Sequence, residues 1–227
     1  MRVIAIDGPA GSGKSTLARQ LADALGFVYL DTGAMYRALA LLAQREGVPP
    51  DDEPALTRLA QQLQLQFQRV DSEQRVLLNG EDVSDAIRHP DIGRLASLIS
   101  IHPGVRRALV AKQREIAQQV PGLVAEGRDT TTVVFPEAVL KIFLIASAEE
   151  RARRRQAQLR EQGIELPFEE VLREIRERDE RDSTRAESPL RQADDAIRIE
   201  NDHLTKEQTL QCVLELYAKL SETTHSS

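Results

Sequence analysis

A run of residues near the start of the chain has the composition and spacing of a phosphate-binding loop. It consists of Gly8, Pro9, Ala10, Gly11, Ser12, Gly13, Lys14 and Ser15, followed by Thr16. In such a loop the backbone N–H groups converge on phosphate oxygens, and the positive end of the following helix dipole favours the same anion. Lys14 would reach the outer phosphates, and Ser15 would bind Mg²⁺. The motif predicts that these residues bind ATP.

The sequence on either side of this run supplies the elements that the motif requires. Arg2–Asp7 is apolar enough for a buried strand, and the residues from Ser15 to Leu25 place leucine and alanine on one helical face. An ordinary glycine-rich turn is the alternative interpretation. The complete motif between a strand and a helix favours the phosphate-binding loop.

The rest of the chain separates the classes of protein that use such a loop. A GTPase switch would need a guanine-reading Asn-Lys-x-Asp segment, which does not occur in the sequence. A motor ATPase would place a carboxylate after a later apolar strand to hold metal and water. The apolar run 139–145 is instead followed by Ala146 and Ser147. A kinase of a small molecule, whose acceptor brings its own nucleophile, fits better.

Four arginines stand where they could bind a second phosphate, namely Arg37, Arg128, Arg178 and Arg185. Planar guanidinium groups pair bidentately with phosphate oxygens. Arg128 is the strongest candidate, because it follows an apolar run at the expected carboxyl edge of a sheet, where ligands of open α/β sheets bind. For an arginine on a charged helix, a solvated surface position is the alternative.

Apolar runs separated by helical patterns predict an α/β fold of the P-loop NTPase type. Five runs are interpreted as strands of a parallel sheet flanked by helices, at residues 2–7, 27–30, 123–125, 139–145 and 196–199. Helices are predicted at 34–45, 54–63, 91–101, 104–119, 148–162, 168–185 and 206–220. Between residues 63 and 80 apolar and polar residues alternate, which predicts a small antiparallel sheet within an α+β insertion.

Composition and charge limit the remaining possibilities. The chain has 227 residues, 41% of them hydrophobic, and a net charge of −6, which argues against a nucleic-acid polymer as partner. It shows no apolar run long enough to span a bilayer and no leader, so we expect a cytoplasmic protein without membrane contact. We also expect a monomer. The single cysteine, Cys212, is predicted to pack on the apolar face of the last helix.

Several motifs together closely resemble those of bacterial cytidylate kinases. They are the loop from Asp7 to Thr16 and the segments 31–37, 78–84, 127–129, 133–136 and 177–185. The resemblance runs in order from the first strand to about residue 217. It implies the nucleoside monophosphate kinase fold, ATP as phosphoryl donor, Mg²⁺ as cofactor, and CMP or dCMP as acceptor.

The same resemblance implies an acceptor site built from Thr32, Tyr36, Arg37, Ser97, Arg106, Arg128, Asp129, Arg178, Asp182 and Arg185. Within this set, Arg37, Arg128 and Arg185 would hold the acceptor phosphate. Arg178 and Asp182 would reach the sugar, and Ser97, Arg106 and Asp129 would read the base. Cytosine presents an amino donor where uracil presents a carbonyl, so a carboxylate such as Asp129 would favour cytosine.

A short lid is implied at residues 151–167. Arg151, Arg154 and Arg155 match the lid arginines of the family, with Arg154 assigned to ATP. Lys14, Arg128, Arg151 and Arg155 would be the catalytic residues. On a helix Arg151 and Arg155 share a face. An ordinary charged helix surface is the alternative.

Two positions leave the interpretation open. After Asp129 the family commonly has an apolar residue, Gly and Thr, whereas this chain has Thr130-Thr131-Thr132. Thr131 lacks the access of glycine to positive φ, so we expect the loop behind the acceptor site to differ. Asp31 either orders magnesium-bound water or caps the helix that follows it.

The predicted organisation is a core at 1–53, an acceptor-binding insertion at 54–100, core at 101–150, the lid, core at 168–220 and a disordered tail at 221–227. The predicted activity is ATP-dependent phosphorylation of CMP and dCMP to the diphosphates by direct phosphoryl transfer. One alternative is a P-loop kinase of another small acceptor, such as UMP, shikimate or a coenzyme precursor. Another is a non-enzymatic, ATP-gated binding module.

Overall fold

The computed structural model describes residues 2–70 and 73–225, which form two compact units. The first unit contains the chain up to Leu30 and again from Ile116, and the second contains Asp31–Glu115. The predicted insertion at 54–100 lies inside the second unit, which is wider than that prediction. The phosphate-binding loop and the predicted lid both belong to the first unit.

The strands and helices occur along the chain in the predicted order. The strands are β1 (Arg2–Asp7), β2 (Val28–Asp31), β3 (Leu65–Val70), β4 (Glu73–Leu78), β5 (Glu81–Asp82), β6 (Gly122–Gly127), β7 (Leu140–Ile145) and β8 (Ile197–Glu200). The helices are α1 (Lys14–Leu25), α2 (Thr32–Arg45), α3 (Glu53–Gln62), α4 (Pro90–Ile99), α5 (Pro103–Gln118), α6 (Ala148–Glu161), α7 (Phe168–Thr184) and α8 (Lys206–His225). A 3-10 turn lies at Ala86–Arg88 and a π-helical turn at Thr130–Val134. Among the described residues, no helix has both the length and the apolar composition needed to cross a membrane.

The predicted five-stranded parallel sheet is confirmed in the first unit. Its strand order is β2-β6-β1-β7-β8, so β1 is central and pairs in parallel with β6 and β7. Asp7, the last residue of β1, is opposite Gly127 of β6 and Phe143 of β7. The carboxyl ends of the three central strands therefore lie at one edge, where the phosphate-binding loop and Arg128 begin.

The core of the first unit holds this edge in position. Ile4 and Ile6 of β1 are fully buried and share a cluster with Leu17 and Leu21 of α1 and Val213 of α8. Burying each large aliphatic side chain stabilises the fold by about 1.5–3 kcal/mol. Both strand β1 and helix α1 are thus anchored, and the loop between them is held at both ends.

A smaller apolar cluster joins α6 and α7. Ala152 and Leu159 of α6 pack with Val171, Leu172 and Ile175 of α7. The two helices match the predictions at 148–162 and 168–185. The segment 151–167 therefore comprises most of α6 and the connection to α7, and its action as a lid stays a prediction.

The antiparallel sheet predicted for the insertion is confirmed in the second unit. β3 and β4 pair with Phe67 opposite Val76, and β5 adds a short third strand. Asn79 and Gly80 connect β4 and β5 with φ of 52° and 85°. Positive φ at both central residues is the geometry of a two-residue hairpin turn, for which Asn-Gly is the preferred sequence.

The last helix differs from the prediction in two ways. Its backbone is helical to His225, beyond the predicted end at Leu220, and residues 226 and 227 of the predicted tail lie outside the described residues. Cys212 is exposed, so the prediction that it packs is wrong. The buried face of α8 contains Val213 and Tyr217, and Cys212 lies about 100° around the helix from Val213.

Gly122, the first residue of β6, provides a test of the packing in the first unit. A Cβ at Gly122 would lie 2.4 Å from the ring of Phe27, so Gly122→Ala is expected to lower the free energy of unfolding by about 1–3 kcal/mol. The matched control is Gly93→Ala in α4, where a Cβ meets no atom within 4 Å, and it is expected to raise stability by about 0.5–1 kcal/mol. Urea unfolding of both variants measures the difference, and equal stabilities would contradict the packing described here.

Candidate active site

The phosphate-binding run forms the connection between β1 and α1. Gly8, Gly11 and Gly13 have φ of 151°, 77° and 94°, which side chains disfavour. A Cβ at Gly8 would lie 2.0 Å from the carbonyl oxygen of Leu144. Glycine is required at this position because the loop leaves β1 in direct contact with the backbone of the neighbouring strand.

Lys14 is buried at the start of α1. Its Nζ donates to the carbonyl oxygen of Pro9 at 2.7 Å and lies 3.4 Å from Ser12 Oγ. Burial, reinforced by the positive charge of Arg128, lowers the pKa of Lys14 to about 7. A polyphosphate bound in the loop would supply the negative charge that favours the ammonium form.

Ser15 contacts a carboxylate on the strand next to β1. Its Oγ donates to Oε1 of Glu126 at 2.7 Å, and the hydroxyl of Tyr29 lies 3.4 Å from the same oxygen. Glu126 is buried near the end of β6, whereas Ser15 is exposed. A hydroxyl and a carboxylate oxygen at this spacing are the hard oxygen ligands that Mg²⁺ prefers.

Sequence reasoning missed Glu126 because it sought the carboxylate after β7. The sheet order places β6 on the other side of β1, and the carboxylate is there. A signal did exist, since Glu126 is the one charged residue in the otherwise apolar strand Gly122–Gly127. Charged residues are rarely buried without a paired or functional role.

A cavity of about 650 Å³ opens beside the loop within the first unit. The loop and α1 contribute Gly11, Gly13, Lys14, Ser15, Thr16, Leu17 and Gln20 to its lining. The other side is formed by Arg154, Ala157, Gln158, Glu161, Asn201, Leu204, Thr205, Lys206 and Thr209. Gly8, Pro9, Ala10 and Ser12 complete the loop outside this lining. The volume lies in the range of small-molecule sites.

Arg154 is held at this cavity by Asn201, a second residue that sequence reasoning missed. Its Nη2 donates to the backbone oxygen of Asn201 at 3.1 Å and its Nη1 to the side-chain oxygen at 3.3 Å. Asn201 Nδ2 in turn donates to the carbonyl oxygen of Ser12 at 2.7 Å. Arg154 is therefore positioned at the loop, as predicted for an ATP-binding residue, and its contact with ATP stays a prediction.

Arg151 is engaged in several contacts of the protein itself. It is buried and forms a bidentate pair with Asp179, with nitrogen–oxygen distances of 2.9 and 2.6 Å. Its Nη1 also donates to the carbonyl oxygen of Ala10 in the loop at 3.2 Å. Arg155 lies one turn further along α6 and is half-buried. Their predicted catalytic roles remain predictions.

Three of the predicted acceptor arginines converge on one carboxylate in the first unit. Arg128 Nε donates to Oδ2 of Asp182 at 2.8 Å, and Arg185 Nη1 lies 3.8 Å from Oδ1. Arg178 interacts electrostatically with both Asp182 and Lys14. The cluster contains more positive than negative charge, which suits an anionic ligand.

The pKa of Asp182 reports this surplus of positive charge. Burial acts to raise it, but the charges of Arg128 and Arg178 and the hydrogen bond from Arg128 hold the pKa of this carboxyl below its usual value. Burial acts to lower the pKa of Arg128, but the charge and hydrogen bond of Asp182 and the charges of Glu126 and Asp7 together hold it above its usual value. Both groups are therefore charged near neutral pH.

The segment that follows Arg128 contains Asp129 and the three threonines. Asp129 is buried and stands directly before the π-helical turn Thr130–Val134. Among the described residues, positive φ occurs outside glycine at Asn79 and Ser188. Thr131 therefore adopts an ordinary conformation, and the turn accommodates it without positive φ.

The second unit contains the remaining predicted acceptor residues, namely Thr32, Tyr36 and Arg37 on α2, Ser97 on α4 and Arg106 on α5. The guanidinium of Arg106 lies over the ring of Tyr36, 5.4 Å from its centroid, and donates to the carbonyl oxygen of Ser100 at 3.0 Å. Thr32, Ser97 and Arg106 are buried. Their contact with an acceptor stays a prediction.

Of the two roles considered for Asp31, the capping of a helix is confirmed. Its Oδ1 accepts from the backbone N–H of Ala34 at 2.8 Å, and its Oδ2 accepts from Arg37 Nη2 at 2.8 Å. The carboxylate therefore starts α2 and orients Arg37. The alternative role, ordering magnesium-bound water, stays a prediction.

A glycine-rich loop at the tip of a central parallel strand, with a lysine and a serine opening the next helix, defines a P-loop nucleotide-binding protein. A family model described as cytidylate kinase matches residues 4–219. The chain belongs to the cytidylate kinase family, which confirms the resemblance noted in the sequence.

Individual relatives are similar over nearly the whole chain. A cytidylate kinase of Aeromonas salmonicida is 53% identical over 93% of this chain and 92% of its own length. One of Syntrophotalea carbinolica is 46% identical over 96% of this chain and 92% of its own. A crystal structure of an uncharacterized protein from Eubacterium ventriosum matches with a TM-score of 0.53 at 12% identity, over 95% of this chain and 98% of that one. That last similarity concerns the fold alone.

Proton uptake on nucleotide binding tests the environment of Lys14. Because its pKa is lowered to about 7 without ligand and phosphates would raise it, ATP binding at pH 8 is expected to take up about 0.9 proton. Calorimetric titrations in buffers of different ionisation enthalpy measure this number. Lys14→Met, titrated above its own Kd, is expected to show almost none. Equal uptake by the two proteins would contradict the assignment.

Proposed function

We propose that this protein transfers the terminal phosphoryl group of ATP to CMP and dCMP, giving ADP and the corresponding diphosphate. The observation that carries the proposal is the presence, in one compact unit, of the phosphate-binding loop and the arginine cluster around Asp182. Membership of the cytidylate kinase family supports the choice of acceptor.

The donor would lie in the loop with its phosphates against the backbone amides and Lys14, beside the cavity lined by Arg154. By the family resemblance, the acceptor phosphate would be held by Arg37, Arg128 and Arg185. An oxygen of that phosphate attacks the terminal phosphorus of ATP while the bond to the bridging oxygen breaks, and ADP leaves with the electron pair. The attacking oxygen is already anionic, so the reaction needs positioning and charge stabilisation rather than a base.

Magnesium is part of the proposal. Ser15 and Glu126 offer the oxygen ligands described above, and Mg²⁺ commonly takes only one or two protein groups in addition to phosphates and water. When bound, the ion would neutralise charge on the donor phosphates. Arg151 and Arg155 are proposed to stabilise the charge of the transferring group.

By the family resemblance, base recognition is proposed for Ser97, Arg106 and Asp129. A carboxylate accepts from the exocyclic amino group of cytosine and would face the carbonyl of uracil unfavourably. Arg178 and Asp182 are proposed to contact the sugar. That the protein acts as a monomer in the cytoplasm also stays a prediction.

A coupled assay of ADP formation over CMP, dCMP, UMP, AMP and shikimate tests the activity. Highest turnover with CMP or dCMP is expected. A P-loop kinase of another small acceptor would show its highest turnover with UMP or shikimate, or turnover with none of these five compounds. An ATP-gated binding module would bind ATP without acceptor-dependent ADP release. Lys14→Ala is expected to lower turnover about a hundredfold or more. Lys219→Ala, an exposed lysine of α8, should retain it. Wild-type turnover in Lys14→Ala would contradict the proposal.

The preference for cytosine tests the role of Asp129. Asp129→Asn is expected to lower the ratio of kcat/KM for CMP over UMP roughly tenfold, because the amide can donate to a carbonyl and its weaker acceptor favours the amino group less. The control is Glu137→Gln, an exposed carboxylate that should leave the ratio unchanged. An unchanged ratio in Asp129→Asn would remove Asp129 from base recognition.

A further inference from the structure

Asp7 is a fully buried carboxylate that accepts four hydrogen bonds from two adjacent residues. Its Oδ1 accepts from the backbone N–H and Oγ1 of Thr130 at 2.9 and 2.6 Å. Its Oδ2 accepts from the backbone N–H and Oγ1 of Thr131 at 2.7 and 2.6 Å. Asp7 has 0% exposure, so these bonds offset part of the hydration that the carboxylate loses, and burial still raises the pKa of Asp7.

Asp7 also lies next to Gly127, at the start of the short segment 127–130. The backbone of Asp7 is opposite Gly127 in the parallel pairing of β1 and β6. Arg128 and Asp129 are the residues between Gly127 and Thr130. The residues on both sides of this pair are therefore held by Asp7: Gly127 through the pairing of the strands, and Thr130 through hydrogen bonds to the carboxylate.

On its other side, Asp7 is joined directly to the phosphate-binding loop. Gly8 follows it and passes against the carbonyl oxygen of Leu144. The negative charge of Asp7 also favours the charged forms of Lys14 and Arg128, although burial leaves the pKa of Lys14 lowered. Asp7 is thus linked to the phosphate-binding loop through the chain, and its carboxylate interacts electrostatically with Lys14 and Arg128.

We propose that Asp7, Thr130 and Thr131 form a clamp that positions Arg128 and Asp129 relative to the phosphate-binding loop, with the threonine hydroxyls as positioning groups for phosphoryl transfer. The inference rests on the proposed function, because Arg128 and Asp129 are assigned there to the acceptor. A displacement of about 1 Å between reacting groups can lower a rate about a hundredfold.

The clamp explains what the threonines contribute at positions where the sequence departs from the family pattern. An apolar residue and a glycine at these positions would provide only the two backbone N–H groups. Thr130 and Thr131 add two hydroxyl donors to the same carboxylate. Thr132, the next residue, has a buried hydroxyl oxygen without a hydrogen-bond partner among the described residues.

The test compares Thr130→Val, Thr131→Val and the double variant. Each substitution replaces one hydroxyl with a methyl group at nearly constant volume. Thr132→Val is the matched control, and Thr131→Ser is a second control that keeps the hydroxyl and removes only the methyl group. We expect kcat with CMP to fall about tenfold in each single variant and about a hundredfold in the double variant. The Kd of ATP should stay within about twofold, because the donor loop keeps its own contacts. Thr131→Ser and Thr132→Val should match the wild type.

Thermal unfolding is measured for every variant, and the assays are run well below the lowest midpoint. If the valine variants lose stability but keep wild-type kcat, or if they do not fold, the hydroxyls are structural and the inference is overturned. Equal loss in Thr132→Val would overturn it as well. Failure of the wild-type chain to phosphorylate CMP would instead overturn the proposed function, and the inference with it.

Discussion

The turn of the backbone at the end of β1 is the constraint on which the site depends. The chain must leave a central strand whose neighbours lie on both sides, and it does so in contact with the carbonyl of Leu144, where no side chain fits on Gly8. The backbone amides that follow are then free to converge on an anion. The apolar cluster of β1, α1 and α8 keeps both ends of the loop in place. Residues at the ends of β6 and β7 are brought to the same edge by the parallel register.

Buried carboxylates balance part of the positive charge at the carboxyl edge of the sheet. Asp182 pairs with Arg128, and the negative charges of Glu126 and Asp7 act on Lys14. Buried cations repel each other, which is why Arg128 contributes to the lowered pKa of Lys14. Phosphate groups would complete this arrangement, since anions are attracted most strongly where low-dielectric surroundings limit screening. The same residues can therefore be tolerated by the fold and still bind strongly charged ligands.

The sequence allowed the local features to be predicted and left most of the long-range contacts unknown. The strand–loop–helix unit around Lys14 and the hairpin at Asn79 and Gly80 depend on short-range patterns, and both were predicted. Glu126 with Ser15 and Asn201 with Ser12 are separated by 111 and 189 residues along the chain, and no local pattern indicates which partner each will meet. Cys212 was misplaced because an apolar pattern one position away was extended to include it. The roles of Arg151 and Arg155 depend on bound phosphates, which the sequence alone does not locate.

The hairpin of α6 and α7 has its own apolar cluster, separate from that of the sheet. Such a cluster can behave as a separate cooperative unit, opening at a lower free energy than the whole domain. The Arg151–Asp179 pair lies inside the hairpin and would move with it. The hydrogen bonds from Arg151 to Ala10 and from Arg154 to Asn201 connect the hairpin to the rest of the unit. The Arg128–Asp182 pair connects the far end of α7 to the same unit. If the hairpin acts as the predicted lid, a polyphosphate that drew Arg151 and Arg154 toward itself would replace these hydrogen bonds with contacts to the ligand, and release of the nucleotide product would then accompany their re-formation.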